Sequence, residues 1–160
     1  MIHQTPMATA PHQEDFAARV NNWLNERATG ASLDTDGIAC LMRDDQTFIQ
    51  IEVTPGGAVC YFYAPVASLS EFDPESTMLA ALELNRYGRP LGGCWLAWDP
   101  DIHMLMLCYN LSLQTADSIS FGNTLDNFIA ALDAAKLLMS SDEDNFIPAP
   151  FDAEQLLSNV

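Results

Sequence analysis

Two hydrophobic periods divide the chain. Between Glu14 and about Ala28, the apolar residues Phe16, Val20, Trp23 and Leu24 recur at helical spacing and share one arc of roughly 100°. Asn21, Asn22, Asn25 and Glu26 fall mostly outside that arc, Arg27 intrudes at one edge, and Thr29-Gly30 supplies a stop. The period then shortens to two. Gly37 to Arg43 sets Ile38, Cys40 and Met42 against Ala39, Leu41 and Arg43. Thr47 to Val53 sets Phe48, Gln50 and Glu52 against Ile49, Ile51 and Val53, and Ala58 to Ala64 makes a third strand. Asp44-Asp45 and Pro55-Gly56-Gly57 read as the turns between them, so the three strands form an antiparallel meander.

A second helix is predicted from about Glu75 to Tyr87, opened by Pro74 and stopped by Gly88. Met78, Leu79, Ala80, Ala81, Leu82, Leu84 and Tyr87 spread over most of its circumference, and Glu75, Glu83 and Arg86 keep only a narrow sector. A helix packed against its own sheet needs an apolar stripe of about 100° or somewhat more, and this one has roughly twice that. A second subunit is the simplest cover for the surplus. Cys94 to Trp98 and Ile102 to Leu111 follow as strands joined by Asp99-Pro100-Asp101. The latter carries Ile102, Met104, Met106 and Cys108 on one face and His103, Leu105, Leu107 and Tyr109 on the other, which predicts a central strand covered on each side. Thr115 to Ser120 offers caps for a last helix running to about Met139. Its Phe121, Leu125, Phe128, Leu132 and Met139 fall within about 60° of arc. The expected fold is therefore α+β in the order α-β-β-β-α-β-β-α, a twisted, mainly antiparallel sheet flanked by helices. A flexible N-terminus (1–13) and an acidic mobile tail (141–160) bracket a single domain over 14–140.

Charge narrows the partners. The chain has 160 residues with 22 acidic against 6 basic side chains, a formal net charge of -16. The bases Arg19, Arg27, Arg43, Arg86, Arg89 and Lys136 are scattered, whereas a nucleic-acid backbone needs them clustered. The same field repels anionic lipid and favours basic partners. With neither a basic n-region with an apolar run at the N-terminus nor a membrane-length apolar stretch, the expected compartment is the cytoplasm. Cys40, Cys60, Cys94 and Cys108 form no C-x-x-C pair and each lies in an apolar run, which reads as reduced, buried thiols rather than a zinc site.

Candidate chemistry is sparse. Gly92-Gly93-Cys94 could present a nucleophilic thiol with His103 across the strand pair, but nothing basic near Cys94 in sequence would lower its pKa. Asp142-Glu143-Asp144-Asn145 starts like a calcium loop yet lacks the mid-loop glycine and the closing glutamate. Asp99 and Asp101 flank a proline as turn residues do, and His103 reads as a strand residue at an interface. Trp23, Trp95 and Trp98 could stack on bases, against which the charge argues. No catalytic residue, metal or cofactor is expected, and the function left is protein binding.

Leu79-Ala80-Ala81-Leu82-Glu83-Leu84-Asn85, a glycine-containing loop and the strand Cys94-Trp95-Leu96-Ala97-Trp98 form the first part of a known series. The turn Asp99 to Asp101, the strand Met104-Leu105-Met106-Leu107 and the long helix Thr124 to Met139 complete it. The series resembles the class I type III secretion chaperones, the family typified by the Tir chaperone CesT, over roughly residues 14–140. The chain departs from that pattern in its extended N-terminus, its acidic tail, and Ala135-Lys136-Leu137-Leu138, where such chaperones often carry a tryptophan.

The resemblance implies a cytoplasmic bacterial homodimer, with the second helix and an adjacent strand at the interface. Here those residues are Met78, Ala81, Leu82, Leu84, Asn85, Tyr87 and Trp95. It also implies binding of the N-terminal segment of a secreted effector in extended form. That segment would be kept soluble and export-competent without ATP, in the service of virulence. Groove candidates are Phe16, Val20, Trp23 and Leu24, with Phe48 and Phe62 on the early strands. An acidic regulatory or inhibitory module using the same fold is the alternative, and an enzyme acting through Cys94 is a third reading.

Overall fold

The computed structural model describes residues 15–43, 47–69, 74–86 and 90–141. Its elements are α1 (Phe16–Arg27), β1 (Ile38–Met42), β2 (Phe48–Val53), β3 (Val59–Ser68), α2 (Pro74–Asn85), β4 (Trp95–Asp99), β5 (Met104–Ser112) and α3 (Ser118–Ser141). This is the element order the periodicities predict. The five strands pair antiparallel in the order β1-β2-β3-β5-β4. Tyr87, the Asp44-Asp45 turn, and the segments 1–14 and 142–160 lie outside the described residues.

Local chemistry sets the boundaries. Asp15 caps α1 by accepting from the Ala18 N–H at 3.0 Å. Asp117 and Ser120 form a reciprocal cap on α3: the Ser120 N–H donates to Asp117 Oδ1 at 2.7 Å, and Ser120 Oγ accepts from the Asp117 N–H at 2.8 Å. Gly37 has φ +81°, and an added Cβ would meet the Val53 carbonyl oxygen at 2.3 Å, so only glycine fits the entry to β1. β3 runs past Ala64 through Pro65 to Ser68, further than the apolar run suggests. β2 pairs with it only as far as Tyr63, so Pro65 stands where its missing N–H breaks no pairing with β2, and the ladder shifts register between Pro65 and Ala67.

One face of the sheet packs on α1 and α3. Ile49, Ile51, Val53, Cys60, Phe62, Leu105 and Leu107 point there, against Val20, Trp23 and Leu24 of α1 and Phe121, Leu125, Phe128 and Leu132 of α3. Phe62 is the hub: its ring centroid lies 5.8 Å from those of both Phe121 and Phe128, and Trp23 meets Phe121 at 5.5 Å. Arg19 stacks over Trp23 and donates to the Ala116 carbonyl, and Arg27 pairs with Asp126 at 3.1 Å, which joins α1 to α3.

Three expectations need correction. β5 is central but is covered by helices on one face only. On the other face Met106 and Cys108 are buried among neighbouring strands' side chains, with Pro65, Tyr63, Ala97 and Trp95 as their cross-strand neighbours. His103 is not a strand residue: it sits in the β4–β5 turn at φ 54°, its ring 5.8 Å from that of Trp98. Cys40 is exposed, because Ile38, Cys40 and Met42 lie on the face that carries no helix.

Candidate functional site

Each edge of the sheet is closed at one residue from outside the sheet. At the β4 edge, the last residue of α2 acts as a surrogate strand. The Leu96 N–H donates to Asn85 Oδ1 at 2.7 Å, and Asn85 Nδ2 donates to the Leu96 carbonyl at 3.0 Å. One carboxamide thus satisfies both outward groups of the strand's second residue. The opposite edge, β1, is closed only at its start. The Asp34 N–H donates to the Ile38 carbonyl at 2.8 Å, and the Ile38 N–H donates to Asp34 Oδ1 at 2.9 Å. Ala39 and Leu41 face β2, so by alternation the N–H and C=O of Cys40 and Met42 face outward. Beside that edge Met42 is 65% exposed and Phe48, its cross-strand neighbour, is half-buried. An edge with no partner among the described residues, flanked by apolar side chains, is the geometry that accepts an added strand.

Three half-open cavities add side-chain pockets. One, of about 360 Å³, lies between Phe16 at the start of α1 and the turn Val53 to Gly57. A second, of about 430 Å³, is on the helix-free face, lined by Gln50, Glu52, Tyr63, Trp98, Met106 and Cys108. A third, of about 460 Å³, lies between the loop at Leu91 and Gly92 and the small residues Ala130, Ala131 and Ala134 of α3.

The predicted groove residues separate into two groups. Phe16 and Phe48 are half-buried, next to the first cavity and the open edge respectively. Val20, Leu24 and Phe62 are fully buried and Trp23 nearly so; all four pack inside the core and leave almost no surface for a partner. Apolar periodicity could not separate these groups, since core and groove residues share it. The open edge itself has no sequence signal, because it is made by backbone atoms.

Along α2, Leu82 is 66% exposed and Leu79 48%, with Trp95 partly exposed on β4. Met78, Leu84 and Asn85 are half-buried, and Ala81 is inside the core. Exposed leucines on adjacent turns of one helix form an uncovered apolar face.

Burial pushes the Cys94 thiol up to about 11 and that of Cys60 to about 12, the opposite of what a nucleophile needs. Burial, followed by the neighbouring Cys94, raises Cys108 to about 11. Among the described residues, no group of His, Cys, Asp and Glu could hold a metal ion, and no helix is long and apolar enough to cross a membrane.

Residues 26–136 match the Tir chaperone protein (CesT) family. The fold is similar to that of a chain in the ExsC–ExsE complex, at 20% identity and a TM-score of 0.69, covering 79% of this chain and 97% of that one. A chain in the HopA1–SchA chaperone–effector complex shares 7% identity at a TM-score of 0.58, covering 75% of this chain and 91% of that one. A chain in the heterodimeric ExoU–SpcU complex from the type III secretion system of Pseudomonas aeruginosa shares 17% identity at 0.56, covering 74% and 96%. No curated protein matches the chain. At these identities the structural likeness is one of fold.

Proposed function

Because the chain belongs to the Tir chaperone protein (CesT) family, we propose that it is an effector-binding chaperone of type III secretion that holds the N-terminal segment of a secreted protein in extended form. The observation that carries this reading is the β1 edge, where the outward backbone groups of Cys40 and Met42 have no partner among the described residues and lie beside the side chains of Met42 and Phe48. An extended segment completes such an edge through its backbone, which gives affinity without a fixed sequence, while the cavities at Phe16 and on the helix-free face take its side chains. Phe16 and Phe48 are the groove residues placed to meet it. Ordering the segment costs part of the gross interaction energy, so the complex stays reversible and needs no ATP for release. The protein acts in the bacterial cytoplasm, has no catalytic step, and uses no metal or cofactor.

The protein works as a homodimer joined through α2 and β4. Support comes from the exposed Leu79, Leu82 and Trp95, whose apolar surface gains cover when two copies meet. Sedimentation at micromolar concentration should show a dimer, and Leu82→Glu should give a folded monomer. A wild-type monomer at that concentration would remove the dimer.

The chaperone reading itself is tested by co-expression with a substrate secreted by the same cell and limited proteolysis of the complex. One protected stretch near the substrate's N-terminus is expected, with the rest of that region open to protease. A substrate bound only as a folded domain, protected throughout, would support the acidic regulatory module instead.

A further inference from the structure

The five strands hold two charged side chains, Glu52 on β2 and Asp99 on β4, and no lysine, arginine or histidine. Alternation and register put both on the face that carries no helix, Glu52 with Gln50, Tyr61 and Tyr63, and Asp99 with Ala97 and Met106. Both line the cavity of about 430 Å³ on that face, where Met106 and Cys108 make an apolar floor.

Burying a carboxylate costs less when a base pairs with it. Among the described residues neither Glu52 nor Asp99 has a lysine or arginine partner; Asp99 Oδ1 accepts from the Asp101 N–H at 2.9 Å within the β4–β5 turn. Burial first, and Glu52 after it, pushes the Tyr63 phenol up to about 12, so this wall of the cavity is a neutral hydroxyl. Tyr61, opposite Glu52, stacks on Tyr63 with ring centroids 6.1 Å apart, which sets two half-buried aromatic rings beside the carboxylate, a surface that attracts a cation.

Geometry and charge narrow the occupant. β3 and β5 stand between β2 and β4, so the strands of the two acids are three spacings apart, about 14 Å. One cation cannot meet both, but two can when about four extended residues separate them. In such a segment the residue midway points the same way as the bases, onto the apolar floor. A second copy of the chain is a poor source, since it brings 22 acids against 6 bases. Its Arg19, Arg27, Arg43 and Lys136 are engaged around α1 and α3.

We propose that the helix-free face selects a partner segment with two basic side chains about four residues apart around an apolar one. Glu52 and Asp99 meet the bases, and the cavity takes the apolar side chain. The inference rests on the reading of the protein as a binder of extended segments and adds which segments it prefers.

The probe is the peptide acetyl-Arg-Ser-Leu-Ser-Arg-amide, titrated into the full chain with the methionine methyl groups followed by NMR. It should shift the Met106 methyl and bind about tenfold tighter than the same peptide with both arginines replaced by glutamine. Glu52→Gln and Asp99→Asn should each weaken the arginine peptide about threefold and leave the glutamine peptide unchanged. Asparagine keeps the oxygen that accepts from the Asp101 N–H, so the turn survives. Equal affinity for the two peptides, an unmoved Met106 methyl, or arginine-peptide binding indifferent to both substitutions overturns the proposal. The chaperone reading fails separately. A secreted substrate held equally well by wild type and by the double variant removes this site and leaves the chaperone, whereas the expected peptide results with no secreted substrate bound remove the chaperone and leave the site.

Discussion

Asn85 shows how one side chain can bond both outward backbone groups of an edge residue. Its carboxamide is the only neutral group of that size with a donor and an acceptor side by side, and both are used on Leu96. Asn85→Ala leaves two half-buried backbone groups without their partner and should cost about 1–3 kcal/mol. Asn85→Asp keeps the acceptor but sets a carboxylate against the Leu96 carbonyl. At neutral pH it should be as damaging as the alanine, and acidification should restore it. The sign follows from linkage: the fold raises the pKa of the introduced carboxyl, so the stabilising protonated form is complete below the ordinary carboxylate range and lost as pH rises. Denaturant titrations at pH 4 and pH 7 read both effects, and an Asn85→Asp protein with no pH-dependent recovery would count against a two-sided bond. The thiols give a second residue-scale prediction. Cys60, Cys94 and Cys108 are raised from 9.0 to about 12, 11 and 11 by burial, while Cys40 is exposed. Iodoacetamide at pH 8 should modify Cys40 alone until the protein unfolds. Because the three folded pKa values lie above the unfolded one, their contribution to stability is whole below about pH 9 and falls as pH climbs towards 12.

Among the elements, what the sequence makes legible is periodicity, and what it hides is which face meets which. The eight elements appear in the expected order because each is long enough to show its own period. Alternation places Ile38, Cys40 and Met42 together, but nothing local to β1 says that α1 and α3 pack on the opposite face. For the same reason Phe62 and Phe48, both aromatic on early strands, look equivalent until α3 is laid on one of them. His103 escapes because its left-handed backbone is a property of the turn between β4 and β5. The bond between Asn85 and Leu96 joins a helix end to a strand residue 11 positions away, so no pattern within either element reveals it. The β1 edge yields a selective variant. The Cys40 N–H points away from β2, so Cys40→Pro removes an edge donor and leaves the β1–β2 ladder intact. Partner binding should weaken about tenfold or more while thermal stability changes little, since the N–H removed takes no part in the β1–β2 ladder. Unchanged affinity in calorimetry would move the binding site off this edge.

At the scale of the whole molecule, the net charge of -16 and the apolar edge act on different steps of binding. The field of so many acids reaches about one Debye length, roughly 10 Å at 0.1 M salt, and so acts on the encounter before contact. Once a segment lies along β1, backbone hydrogen bonds and buried side chains hold it, and these are little screened. The two steps separate by salt. Raising ionic strength from 0.05 M to 0.5 M should slow association with a basic effector segment about tenfold, while the dissociation rate changes less than about twofold. An acidic module that grips a folded basic partner through its charges behaves otherwise: its complexes would also dissociate markedly faster in high salt. Stopped-flow measurements at the two salt concentrations therefore test the mode of binding directly. A dissociation rate that climbs with salt as steeply as association falls would place the holding energy in the acids and take it away from the β1 edge.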